Sequence, residues 1–72
     1  MGTKNNPGDF DCYSKAEPDE PMFVLLARDG IAPDIVLAWA ELALSCGVDY
    51  AKVKEARACA YAMTVWRVKN RR

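Results

Sequence analysis

The chain has 72 residues, enough for one small domain, and its ten basic side chains balance its ten acidic ones. Hydrophobic residues make up 51% and charged residues 28% of the sequence, which is typical of a globular protein. Because there is no histidine, Ser-His-Asp and Cys-His catalytic arrangements are excluded within one chain. No glycine-rich phosphate loop or metalloprotease motif is present. We therefore predict no catalytic residue, no cofactor, no metal site and no enzymatic activity.

The three cysteines, Cys12, Cys46 and Cys59, are widely spaced and form no CxxC pair. We predict that Cys46 and Cys59 are small buried residues on helices and that Cys12 is an exposed thiol. No apolar run approaches the roughly 20 residues that span a bilayer, and none follows the N-terminus as in a signal peptide. These features predict a cytoplasmic protein.

Residues 1–18 form a polar segment rich in proline, glycine and asparagine, without helical or strand periodicity. We interpret this segment as an extended or disordered, flexible N-terminal arm. Phe10 and Tyr13 are its candidate anchors. Residues 19–72 are then the folded domain.

A first helix is predicted over residues 20–29. Asp19 can cap its N-terminus, Pro21 suits its first turn, and Gly30 is a natural C-cap. A strand is the alternative for Met22–Leu26, because a short apolar run is ambiguous. The cap signals at both ends favour the helix.

Two further helices are predicted over residues 33–46 and 50–69. Pro33 and Asp34 open the second helix and Gly47 ends it, whereas Asp49 caps the third. Apolar residues at helical spacing predict the inward faces. On the second helix these are Ile35, Val36, Trp39, Leu42, Ala43 and Cys46, and on the third they are Val53, Ala56, Cys59, Ala60, Met63 and Trp66. Trp39, Met63 and Trp66 are therefore expected to be largely buried.

The predicted fold is all-α, a small three-helix domain in which helices two and three form an antiparallel hairpin. The first two helices are apolar nearly all round, and three helices cannot bury every face. Leu25, Leu37 and Leu44 are therefore candidates for an exposed patch or an oligomer seam, with scattered surface residues as the alternative. We expect a homodimer at micromolar concentration.

Charge is distributed unevenly along the chain, since residues 1–36 carry seven acidic and three basic side chains and residues 37–72 carry the reverse. The segment from Leu42 to Ala56 also resembles a helix-turn-helix, with Gly47 at the turn. The signal is weak, because positions that would read bases include Asp49 and Glu55, which repel phosphate. The candidate nucleic-acid-binding residues are Lys54, Arg67, Lys69, Arg71 and Arg72.

One further pattern lies in DEPMFVLLARD at 19–29, APDIV at 32–36 and WA at 39–40, followed by AR at 56–57, Ala60, Met63 and WR at 66–67. It resembles a group of small phage and prophage proteins whose consensus reads roughly DEPxFxLLARDxxAPxxVxxWA with a later MxxWR element. The resemblance covers about residues 19–67 and implies a phage context. It carries no assigned active site.

By analogy with other small phage proteins, we expect a non-enzymatic interaction protein that binds a protein partner, such as a defence or regulatory protein of the host. The candidate partner-binding residues are Phe23, Arg28, Leu37 and Leu44, since aromatic residues and arginine are enriched at interfaces. The alternative is a helix-turn-helix-like DNA-binding regulator that uses the basic C-terminal end.

Overall fold

The computed structural model describes residues 1–70, which form three helices and no strand. α1 is a single turn at Cys12–Lys15, α2 spans Ala32–Ser45 and α3 spans Tyr50–Lys69. α2 and α3 pack against each other, and the four-residue link between them makes the pair an antiparallel hairpin. The prediction of an all-helical chain with three helices and a packed hairpin is confirmed.

Local signals in the sequence set the bend of the hairpin. Gly47 has a φ of +80°, which favours glycine, and the N–H of Val48 donates to the carbonyl of Ala43 at 3.0 Å across the end of α2. The Asp49 carboxylate then accepts the N–H of Ala51 at 3.0 Å and caps α3. Helix termination and helix initiation therefore follow each other within four residues, which turns the chain back along α2.

Small side chains form the core between α2 and α3. Six residues are buried within the described chain, and all but Val53 are alanines: Ala32, Ala40, Ala43, Val53, Ala56 and Ala60. Alanine at facing positions lets two helices pack closely, and Met1, Val36 and Val48 pack around the resulting cluster. The hairpin is therefore held by a narrow strip of close contacts rather than by interdigitated large side chains.

The prediction that the tryptophans are largely buried is wrong. Trp39 is 41% exposed and Trp66 is 46% exposed, while Met63 is half-buried. With no third long helix against the hairpin, alanine fills the two-helix contact and the larger side chains lie at its margins. Lys52 lies over the Trp39 ring, with 5.6 Å between its Nζ and the ring centroid.

The cysteines follow the same pattern. Cys46 is exposed, because it follows the last turn of α2 instead of facing α3, and Cys59 is half-buried. The prediction that Cys46 is buried is therefore wrong. Cys12 is exposed, as predicted.

The predicted position of the first helix is also wrong. Residues 21–26 have no regular secondary structure, and the first helix is instead α1, which lies within the segment predicted as an arm. A ten-residue helix is marginal in water unless an apolar face packs on the rest of the protein. The segment 20–29 finds no such face, so its capping residues alone do not make it helical.

The N-terminal arm lies against α3 through Glu55. The N–H groups of Asp9 and Phe10 donate to the two Glu55 carboxylate oxygens at 2.8 and 3.2 Å. Gly8 has a φ of +78°, and a Cβ atom there would lie 2.6 Å from Glu55 Oε1. Phe10 is half-buried and Tyr13 is 78% exposed, so only Phe10 acts as an anchor.

Candidate protein-binding surface

Four exposed large apolar side chains, including the most exposed one, lie together on one segment, Pro21–Leu26, here called the strap. Phe23 is 86% exposed and Val24 63%, and Met22 and Leu26 are about half exposed. Leu25 is half-buried. Such a run of exposed apolar residues is unusual on a monomeric protein and is typical of an interaction surface.

Most backbone groups of the strap also lack a hydrogen-bond partner within residues 1–70. Within residues 1–70, no N–H or carbonyl of Pro21–Leu25 takes part in a hydrogen bond inside the chain. A segment outside regular secondary structure whose backbone groups are unpaired can pair with a strand of another chain. The strap therefore offers both backbone groups for pairing and side chains for recognition.

Two turns define the ends of the strap. At the N-terminal end, the N–H of Glu20 donates to the Glu17 carbonyl at 3.1 Å, and the N–H of Glu17 donates to Glu20 Oε1 at 3.0 Å. At the C-terminal end, the N–H of Asp29 donates to the Leu26 carbonyl at 2.9 Å. Asp29 then accepts the N–H groups of Ile31 and Ala32, which fixes this end to the start of α2.

A cleft of about 530 Å³ lies at the C-terminal end of the strap, where it meets the end of α3. Arg28, Pro33, Trp66, Arg67 and Asn70 are among the residues that line it, and the lining contains no carboxylate among the described residues. Arg67 Nη1 donates to the Gly30 carbonyl at 3.1 Å, which joins the end of α3 to the segment before α2. Arg28 has no ion pair within the described part of the chain. The cleft is therefore basic and partly aromatic.

The opposite end of the strap is acidic. Glu17, Asp19 and Glu20 lie within four residues, all of them exposed. The strap thus separates a cluster of carboxylates from a basic cleft, and the molecule has opposite charges at the two ends of its most apolar segment.

A second exposed apolar surface lies on α2. Leu37 and Leu44, the predicted seam residues, are each 43% exposed. They are seven residues apart and so lie on one face of the helix, beside the buried Ala40. Phe23 and Arg28 lie on the segment before α2.

The residues of the predicted nucleic-acid surface are separated along α3. Lys54 and Arg67 are both exposed but lie 13 residues apart, about 20 Å along a helix. Lys69 lies near Arg67, whereas Arg71 and Arg72 lie outside the described residues. Glu55, at a would-be base-reading position, binds the arm instead. The described basic residues therefore do not form one continuous patch.

Sequence reasoning missed two features of this surface. The convergence of Arg28 with Trp66 and Arg67 joins residues almost 40 positions apart, and no local pattern signals it. The absence of a helix over residues 21–26 was foreshadowed only by the ambiguity of this short apolar run, for which a strand was the alternative interpretation; the structure has neither there. No pattern in the sequence indicates that Glu55 accepts hydrogen bonds from the arm.

The chain exposes more surface than its mass predicts. Its accessible surface is 5951 Å², whereas a folded monomer of 8.0 kDa typically exposes about 4,450 Å². The excess of about 1,500 Å² reflects the small core, since six of the described residues are buried.

Among residues 1–70, no three or more Cys, Asp or Glu side chains are grouped as a metal site. None of the helices described has the length and apolar character required to cross a bilayer. Comparisons with protein-family models, with curated proteins and with solved structures find no match to this chain.

Proposed function

We propose that this chain is a small, non-enzymatic protein-interaction module that binds a protein partner by strand addition on the strap. The observation that carries the proposal is the coincidence, on the strap, of exposed apolar side chains with the unpartnered backbone groups of Pro21–Leu25. Backbone pairing would supply affinity, and alternate side chains would supply specificity. Phe23 is the proposed anchor and Arg28 the proposed charged contact beside it.

The resemblance of residues 19–67 to small phage proteins supports a partner of host origin, such as a defence or regulatory protein in the host cytoplasm. The strap carries the part of that resemblance with the densest motif, DEPMFVLLARD. The proposed partner is therefore a bacterial protein with an exposed strand edge.

The test is affinity capture from bacterial host lysate with the intact chain and with Phe23→Ala. Tyr61→Ala is the matched control, because Tyr61 is an aromatic residue on α3 that is 73% exposed. We expect a captured protein that is retained by Tyr61→Ala and lost with Phe23→Ala. Equal capture by both variants, or capture of nothing, would contradict the proposal.

DNA binding through the basic residues of α3 is the alternative. The acidic residues at the base-reading positions and the separation of Lys54 from Arg67 make it the weaker proposal. Nuclease treatment of the lysate separates the two functions, since capture of a protein partner survives it. A DNA-binding regulator would instead retain duplex DNA with a steep dependence on salt.

A further inference from the structure

The two ends of the strap are complementary to each other when two copies are placed antiparallel. We propose that, before its partner binds, the strap pairs with the strap of a second copy, so that a homodimer covers the binding site. This inference rests on the proposed function, because it assigns a resting state to the same surface. The occupant is a second copy of this chain rather than another segment of the same chain.

The symmetry of the strap sets the register. The turn at Glu20 and the turn at Leu26 lie three residues on either side of Phe23, so a two-fold axis at Phe23 overlaps the whole segment between the turns. In this register Pro21 lies opposite Leu25 of the second copy, and Met22 lies opposite Val24. Antiparallel pairs alternate between hydrogen-bonded and non-hydrogen-bonded positions.

Pro21 selects which positions are hydrogen-bonded. Proline has no N–H, so Pro21 fits a non-hydrogen-bonded position at no cost. Phe23 then also occupies a non-hydrogen-bonded position, where side chains of opposite residues are closest. The two Phe23 rings, the most exposed large apolar side chains of the described chain, thus meet across the axis. Met22 and Val24 supply the ladder hydrogen bonds.

Charge favours this arrangement over a parallel one. Antiparallel pairing places the acidic end of each strap, with Glu17, Asp19 and Glu20, beside the basic cleft of the other copy. That cleft holds Arg28 and Arg67. The contact occurs twice because of the two-fold symmetry. Parallel pairing would place carboxylates beside carboxylates and guanidinium groups beside guanidinium groups.

Pairing of the straps would cover exposed apolar side chains on both copies. Phe23 is 86% exposed and Val24 is 63% exposed in the single chain, so the contact removes apolar surface from water. A heterologous partner would have to displace the second copy.

The test is sedimentation of the full chain over a range of concentrations, with single charge reversals and their mixture. Asp19→Arg and Arg28→Glu should each raise the dimer dissociation constant about tenfold, because each acts at two symmetric contacts. An equimolar mixture of the two variants should recover dimer, because both contacts then join opposite charges. Lys4→Glu is the control, since Lys4 is exposed and its side chain makes no hydrogen bond or ion pair within residues 1–70.

Val24→Pro tests the backbone contribution. It removes an N–H that the pairing uses, and no hydrogen bond inside the described chain depends on that N–H. The helical circular dichroism should be unchanged while the dimer weakens. Salt at about 1 M, where the Debye length is about 3 Å, should also weaken the dimer.

A chain that stays monomeric at all concentrations would overturn the inference. So would a mixture of the two reversals that fails to recover dimer, or a dimer that Leu37→Glu dissociates but Arg28→Glu and Val24→Pro do not, since the seam would then lie on α2. Capture of a partner through Phe23 by a strictly monomeric chain would refute the dimer and leave the proposed function standing. A dimer that depends on the strap but captures no partner would refute the proposed function and leave the dimer standing.

Discussion

The substitution Ala56→Leu tests the alanine core directly. Ala56 is fully buried between α2 and α3, in the same cluster as Ala40 and Ala43. A leucine there adds three carbon atoms where the helices are already in contact, so the helices must separate or the side chain must leave its preferred rotamer. Overpacking of this kind costs about 1–3 kcal/mol.

The expected loss is large for so small a domain. Proteins of this length have a free energy of unfolding of roughly 4–11 kcal/mol. Each kilocalorie lost lowers Tm by roughly 4–8 °C in a domain of this size. We therefore expect Ala56→Leu to lower Tm by roughly 10 °C, measured by circular dichroism during heating.

Ala58→Leu is the matched control. Ala58 lies two residues away on α3 and is exposed, so it shares the small change in helix propensity without the overpacking. Its Tm should stay close to that of the parent chain. If Ala56→Leu has the same Tm as Ala58→Leu, or a higher Tm than the parent chain, the alanine strip is not the contact between the helices.

Four further substitutions probe other parts of the structure. Asp49→Ala removes the cap of α3 and should cost about 1 kcal/mol in urea unfolding; no loss would mean that the cap is unimportant. Gly8→Ala and Glu55→Ala should both release the arm and speed proteolysis within residues 1–18, with the hairpin intact; unchanged cleavage would refute the contact. Trp39→Ala should lower the free energy of unfolding by about 1–2 kcal/mol, less than the roughly 3–5 kcal/mol lost with a buried aromatic residue, because Trp39 is 41% exposed. A loss in the higher range would mean that Trp39 is buried, as the sequence predicted.

The hairpin was predictable because its signals are local. Gly47 and Asp49 end one helix and start the next, and the predicted bounds of α3, residues 50–69, match the structure. The predicted α2 differs by one residue at each end. Turn and cap preferences act within a few residues and do not depend on the rest of the fold.

The packing faces were harder to predict, because α2 is apolar on nearly every side. Helical spacing identifies several stripes there, and the largest side chains suggested the one with Trp39 and Leu42. The structure buries Ala43 of that stripe together with Ala40 and leaves Trp39 and Leu42 exposed, because two helices alone are held best where small residues allow close contact. Hydrophobicity alone therefore does not decide which stripe faces α3.

The strap shows that capping residues alone do not make a segment helical. Asp19, Pro21 and Gly30 suit a helix, but the residues between them find no surface on which to pack. The basic cleft depends on a contact between Arg67 and Gly30, 37 residues apart, which local patterns do not contain. The exposed positions of Phe23 and Arg28 follow from this tertiary arrangement rather than from the motif itself.

In the antiparallel hairpin, the sequence separation between contacting residues increases from the bend to the open end. Val48 bonds to Ala43 beside the bend, Arg57 pairs with Glu41 farther along at 3.0 Å, and Arg67 reaches Gly30 only at the open end. Contacts with short sequence separation close first and contacts at the open end close last. Amide hydrogen exchange should therefore be slowest near Val53 and fastest toward Arg67. The strap is attached at this last-formed end, so it can detach and rearrange while the bend of the hairpin stays folded.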